Sequence, residues 1–127
     1  MVRIKKELHG EKTILVIDYS DLKEAGMIEL LMEVKDLVAK ENTPQLILTY
    51  FNSRNYLTPA FMNQAKKISN EYSHLIGKRA IIGINDVKKF ILKGLNLFLG
   101  TDFHAFDSKE DAIRYLLNDG NPAGDNE

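Results

Sequence analysis

The stretch TILVID at residues 13–18 is nearly all apolar and rich in β-branched side chains. Such a run predicts a strand buried on both faces. Residues 2–9 alternate loosely before it, with Val2, Ile4 and Leu8 apolar and Arg3 and Lys5 polar. His9, Gly10, Glu11 and Lys12 supply a turn, so the two segments read as an antiparallel hairpin. The period then changes. Ile28, Leu31, Val34, Leu37 and Val38 recur at three- and four-residue spacing, which predicts a helix over 22–40 with Asp21 as its cap. Asn42, Thr43 and Pro44 stop it.

The same alternation continues. QLILTYF (45–51) predicts a third strand, 59–72 a helix, AIIGI (80–84) a fourth strand, and 86–99 a helix capped by Asn85 or Asp86 and ended by Gly100. FHAF (103–106) predicts a short fifth strand, and SKEDAIRYLLND a last helix capped by Asp107 or Ser108. The order is ββαβαβαβα, an α/β fold with a mixed, mostly parallel five-strand sheet and about four helices. Residues 1–119 read as one domain, and GNPAGDNE (120–127), with no apolar anchor, as a disordered tail.

Composition narrows the chemistry. The 127 residues suffice for a real core without metal or disulfides. The absence of cysteine excludes disulfides, zinc–thiolate sites, iron–sulfur clusters and cysteine nucleophiles. With 17 Lys+Arg and 18 Asp+Glu, the net charge of −1 lacks the pull that non-specific nucleic-acid binding uses. The start MVRIKKELHGEK has no apolar signal core, and no apolar stretch is long enough for a membrane-spanning helix. The expectation is a cytoplasmic protein without cofactor or metal.

The loop YFNSRNYLTPAFMNQ (50–64) raises the sharpest local question. Thr58 followed by Pro59 is a standard helix start, with the threonine oxygen accepting an early N–H. A phosphorylation switch at Ser53 or Thr58, or an anion held by Arg54 and the helix N-terminus, is the sharper alternative. His9, His74 and His104 are scattered and lack the i, i+4 spacing of metal ligands. Asp18, Asp21, Asp86 and Asp107 fall near the strand ends where open α/β sheets bind ligands, but three of them read as helix caps. No phosphate loop and no nucleophile elbow occurs, so an enzyme is not expected. The segment 86–100 carries apolar side chains on more than one face. That pattern fits either a deeply buried helix or an exposed apolar patch; in the second case Phe90, Leu97 and Phe98 form a candidate interaction surface beside Lys88, Lys89 and Lys93.

The stretches ILVIDYSDL, KRAIIGINDVKKFILKGLNLFLG and FHAFDSKEDAIRYL resemble the STAS domain, the anti-sigma-factor-antagonist fold, in its SpoIIAA-like branch. Lys78, Ala80, Gly83, Phe106, Ala112, Tyr115 and Leu116 carry the resemblance, which covers roughly residues 2–118. It implies a non-enzymatic, regulatory protein-interaction module of a bacterial cytoplasm, with homodimerisation through the 86–99 helix as a hypothesis. A topological likeness to the CRAL-TRIO lipid-binding fold implies the alternative, a small apolar ligand or lipid. The family's phosphorylated D-x-(S/T)-G motif has no counterpart in NSRNYLTPAFM, so the phosphoswitch is the least supported reading.

Overall fold

The computed structural model describes residues 2–85, 88–89, 93 and 103–118. Its elements are β1 (Ile4–His9), β2 (Lys12–Asp18), α1 (Glu24–Glu41), β3 (Gln45–Tyr50) and α2 (Pro59–Glu71). A 3-10 turn (Ser73–Leu75), β4 (Ile76–Ile82), β5 (His104–Phe106) and α3 (Lys109–Leu117) complete them. The five strands lie side by side in chain order. β1 is antiparallel to β2, and every later pair is parallel. This is the mixed, mostly parallel sheet that the alternation predicts. Of the third expected helix, over 86–99, Lys88, Lys89 and Lys93 are helical. The remainder of that helix and the 120–127 tail lie outside the described residues.

Strand order decides where the helices go. Parallel neighbours joined in one direction by right-handed crossovers put their connections on the same face. α1 and α2 accordingly share one face, where Leu15, Ile17, Ile47 and Ile81 meet Met27, Leu30, Phe61 and Met62. On the other face Ile14, Val16, Leu48, Ala80 and Ile82 pack against Ala112 and Leu116 of α3. The two-sided burial explains why β2 is apolar at consecutive positions. Burying a residue such as Leu116 contributes about 1.5–3 kcal/mol. The C-terminal carbonyls of α3 are held by lysines from the sheet. Lys78 Nζ donates to the Tyr115 carbonyl at 3.0 Å and also to that of Asn118, and Lys12 Nζ donates to Leu117 at 3.2 Å. Cations at this end also complement the helix dipole.

Three local expectations are corrected. First, Asp21 does not cap α1: Lys23 holds the N-cap position and makes no side-chain cap bond. Asp21 adopts φ 68° and bonds to Asn52 across the loops instead. Second, the most buried row of α1 is Met27, Leu30, Val34 and Val38, while Ile28, Leu31 and Leu37 are only partly buried. Because α2 lies alongside, the helix is covered on a flank as well as underneath. Third, β4 starts at Ile76 rather than Ala80, since Lys78 and Arg79 pair with Leu46 and Ile47 of β3. Their long side chains reach past the sheet, which lets charged residues sit in an inner strand.

Gly83, just after β4, has φ +94°. A Cβ there would stand 1.8 Å from the carbonyl oxygen of Phe51, the residue just after β3. Gly83→Ala should therefore cost at least about 2 kcal/mol, read as a lower urea midpoint at unchanged slope.

Candidate functional site

Loops after β2, β3 and β4 meet at the C-terminal edge of the parallel strands, the edge where open α/β sheets place their sites. Asn55 holds them together. It is 0% exposed, and its Nδ2 donates to the carbonyls of Tyr19 at 2.9 Å and Leu22 at 2.8 Å. Its Oδ1 accepts from the Asn52 N–H at 2.8 Å. Lys88 Nζ donates to the Asn55 carbonyl, which ties in the segment after β4. Both donors and the acceptor of the amide are thus engaged.

Around this anchor the loop displays its polar residues. Asp21 and Asn52 exchange two hydrogen bonds, of 3.1 and 2.8 Å. Arg54 Nε lies 3.6 Å from Asp21 Oδ1, so an anion drawn to Arg54 would compete with a carboxylate already there. Thr58 is the N-cap of α2, with its hydroxyl oxygen accepting from the Phe61 N–H at 3.3 Å and Pro59 at the first helical position. Ser53 sits exposed in the turn between them. Arg54 and Tyr56 point outward, 78% and 72% exposed.

Inward of the same edge lies an apolar cavity of about 90 Å³ between the sheet and the helices α1 and α2. β2 and β3 are in register with Ile17 opposite Thr49, so Ile17, Tyr19, Thr49 and Phe51 share this face. The Tyr19 ring stacks on Phe51 at 5.1 Å and meets the edge of Phe61 at 5.5 Å. Val34 of α1 and Ala65 of α2 line the helical side. Arg79 also lines it, but its guanidinium donates to Ser69 Oγ and lies 4.3 Å from the centre of the Phe103 ring. Burial pushes the Tyr19 hydroxyl well above the ordinary tyrosine range, so it stays protonated.

The remaining candidates are dispersed. Asp18 accepts from the Ser20 N–H, Asp107 pairs with Lys89, and the His104 ring lies tilted against Tyr115 at 4.9 Å. Among the described residues no three His, Asp or Glu side chains come together as a metal site. On the opposite sheet face Glu7 meets His9, Lys5 and Lys109. Burial raises the Glu7 carboxyl, but hydrogen bonds from these neighbours outweigh it and hold the group below its ordinary value. The Glu7–Lys109 pair stitches β1 to the start of α3 and, with Lys109 half exposed, contributes less than about 1 kcal/mol. Phe90, Leu97, Phe98 and Asp86 lie outside the described residues. The sequence reading missed Asn55 and Tyr19, whose roles depend on partners 33 to 36 positions away in the case of Asn55.

Asn55→Ala strands the Leu22 carbonyl and the Asn52 N–H and leaves the Tyr19 carbonyl with only the Leu22 N–H as partner. It should destabilise the fold by about 2–4 kcal/mol in urea titration, against about 1 kcal/mol for the cap variant Thr58→Ala.

A scan of protein-family models returns no match, and neither does a search of curated proteins. A solved structure does match: an uncharacterized protein from the DUF3478 family with a SpoIIAA-like fold, from Shewanella loihica PV-4. It aligns with a TM-score of 0.62 at 19% identity, covering 89% of this chain and 91% of that one. The present chain therefore has a SpoIIAA-like α/β fold, as its sequence resemblance implies.

Proposed function

We propose that this protein is a non-enzymatic binding module that holds a small, largely apolar molecule between the sheet and helices α1 and α2. The observation that carries the reading is the cavity of about 90 Å³ in an otherwise well-buried core. Protein interiors pack like organic crystals, with few voids larger than a water molecule. This one has room for roughly three waters at their liquid volume of about 30 Å³ each. Walls that face such a space lack van der Waals neighbours on that side. An apolar occupant restores those contacts. The setting we propose is a bacterial cytoplasm, consistent with a chain that has no cysteine. Among the described residues no helix is long and apolar enough to cross a membrane.

A second reading, protein interaction, has its own support at the loop edge. Arg54 and Tyr56 are residue types that dominate binding interfaces, and Asn55 between them holds their backbone in place. A preordered loop loses little entropy on docking. Tyr56 replaced by a photo-crosslinking phenylalanine should then capture one polypeptide reproducibly in cells. Only background adducts would remove this reading.

For the cavity, methyl-labelled protein titrated with cyclopentane should show saturable shifts at Ile17, Met62 and Ile81, with Ile14 on the opposite face unmoved. Ala65→Leu, which places three more carbons at the cavity wall, should abolish them. A wild-type protein whose methyl signals do not respond would overturn the cavity reading.

A further inference from the structure

Tyr19 is the odd member of the cavity wall. The residue is only 3% exposed, yet its hydroxyl has no hydrogen-bond partner among the described residues. No fully buried side-chain oxygen or nitrogen among them lacks a partner. The unbonded hydroxyl must therefore be reached by open space, and Tyr19 lines the cavity. An unpaired hydroxyl in an apolar surround is unfavourable by about 1–3 kcal/mol, and phenylalanine would fill the same place without that penalty. The ring is fixed by Phe51 and Phe61, so the hydroxyl is held in position rather than free to seek a partner elsewhere.

Two cations, Lys35 and Arg79, line the cavity and each already has neighbours. Arg79 donates to Ser69 and packs over Phe103, and Lys35 lies 3.6 Å from Asp36. A carboxylate brought into the cavity would lose its water and would have to draw one of these cations from its present partner. An uncharged oxygen has no such cost once the phenol donates to it.

We infer that the ligand is an uncharged molecule whose short apolar body carries a carbonyl or hydroxyl oxygen, and that Tyr19 is the residue that recognises this oxygen. The inference rests on the cavity being the binding site. It goes beyond that reading by assigning the ligand's chemical class and the donor that selects it. Three other hydroxyl side chains line the cavity: Ser69 is engaged by Arg79, which leaves Thr49 and Tyr72 as the competing hydroxyls.

The test titrates wild-type protein, Tyr19→Phe, Thr49→Val and Tyr72→Phe with cyclopentane, cyclopentanone and cyclopentanecarboxylate, followed by the methyl signals of the cavity wall. Tyr19→Phe should weaken cyclopentanone about fivefold, the worth of one net hydrogen bond, and leave cyclopentane within about twofold. Thr49→Val and Tyr72→Phe should each leave the ketone's affinity unchanged. The carboxylate should bind wild type more weakly than the ketone. Cyclopentanone that binds Tyr19→Phe as well as wild type overturns the assignment, as does a carboxylate that binds more tightly than the ketone. A ketone weakened only by Thr49→Val or Tyr72→Phe overturns it too. Failure of cyclopentane itself to bind wild type overturns the cavity reading, and this inference with it. Should Tyr19→Phe not fold, the ring Cζ signal of labelled Tyr19 in wild type reads the same bond. It should move with cyclopentanone and not with cyclopentane, and an unmoved signal overturns the assignment.

Discussion

A parallel sheet ends in backbone carbonyls that no strand can satisfy, and the side of this edge that faces the core gives them no water. Loop N–H groups of Tyr19 and Phe51 meet that constraint for the carbonyls of Tyr50 and Ile82, and just beyond β2 the amide of Asn55 bonds the carbonyls of Leu22 and, together with the Leu22 N–H, of Tyr19. Much of the local arrangement follows from it. Fixing the Tyr19 carbonyl orients its ring onto Phe51 and Phe61, which forms the aromatic end of the cavity. Drawing in the Asn52 N–H turns the β3–α2 loop so that Thr58 arrives at the start of α2. Lys88 closes the set by binding the Asn55 carbonyl.

The cavity and the loop platform are thus two sides of one construction. Asn55 is buried between them, with Tyr19 on the inner side and Arg54 and Tyr56 on the outer. A change in what occupies the inner side can reach the outer side through Tyr19 and the hydrogen bonds of Asn55, beside the direct backbone links of Phe51 and Leu57. That is a contiguous path of packed and hydrogen-bonded groups, the kind that carries coupling between sites.

Local signals were legible in the sequence where the physics is local. The double-sided apolar run of β2, the Thr58–Pro59 helix start and the Ser108 cap depend on neighbours a few positions away. The resemblance motif also acquires physical content here. Lys78 is placed to bond the end of α3, and Gly83 is the residue that can pass the Phe51 carbonyl. Asp21, Asn55 and Tyr19 were not legible. A polar residue in a loop looks like a cap or a solvated position until chain closure shows which carbonyl it faces. Asp21 illustrates this, because its favourable partner is Asn52, 31 residues on, and not the first turn of the helix beside it.

The one-directional strand order has a consequence for synthesis. Among the described residues both long helices land on one face of the sheet, and the other face is covered by the nine-residue α3, the last described element. As the polypeptide leaves the ribosome, Ile14, Val16, Leu48, Ala80 and Ile82 are all made before the helix that shelters them. Until residues 109–117 emerge, a growing chain presents a flat apolar sheet surface to its surroundings. Its window of vulnerability to aggregation is set by how late its smallest helix is translated.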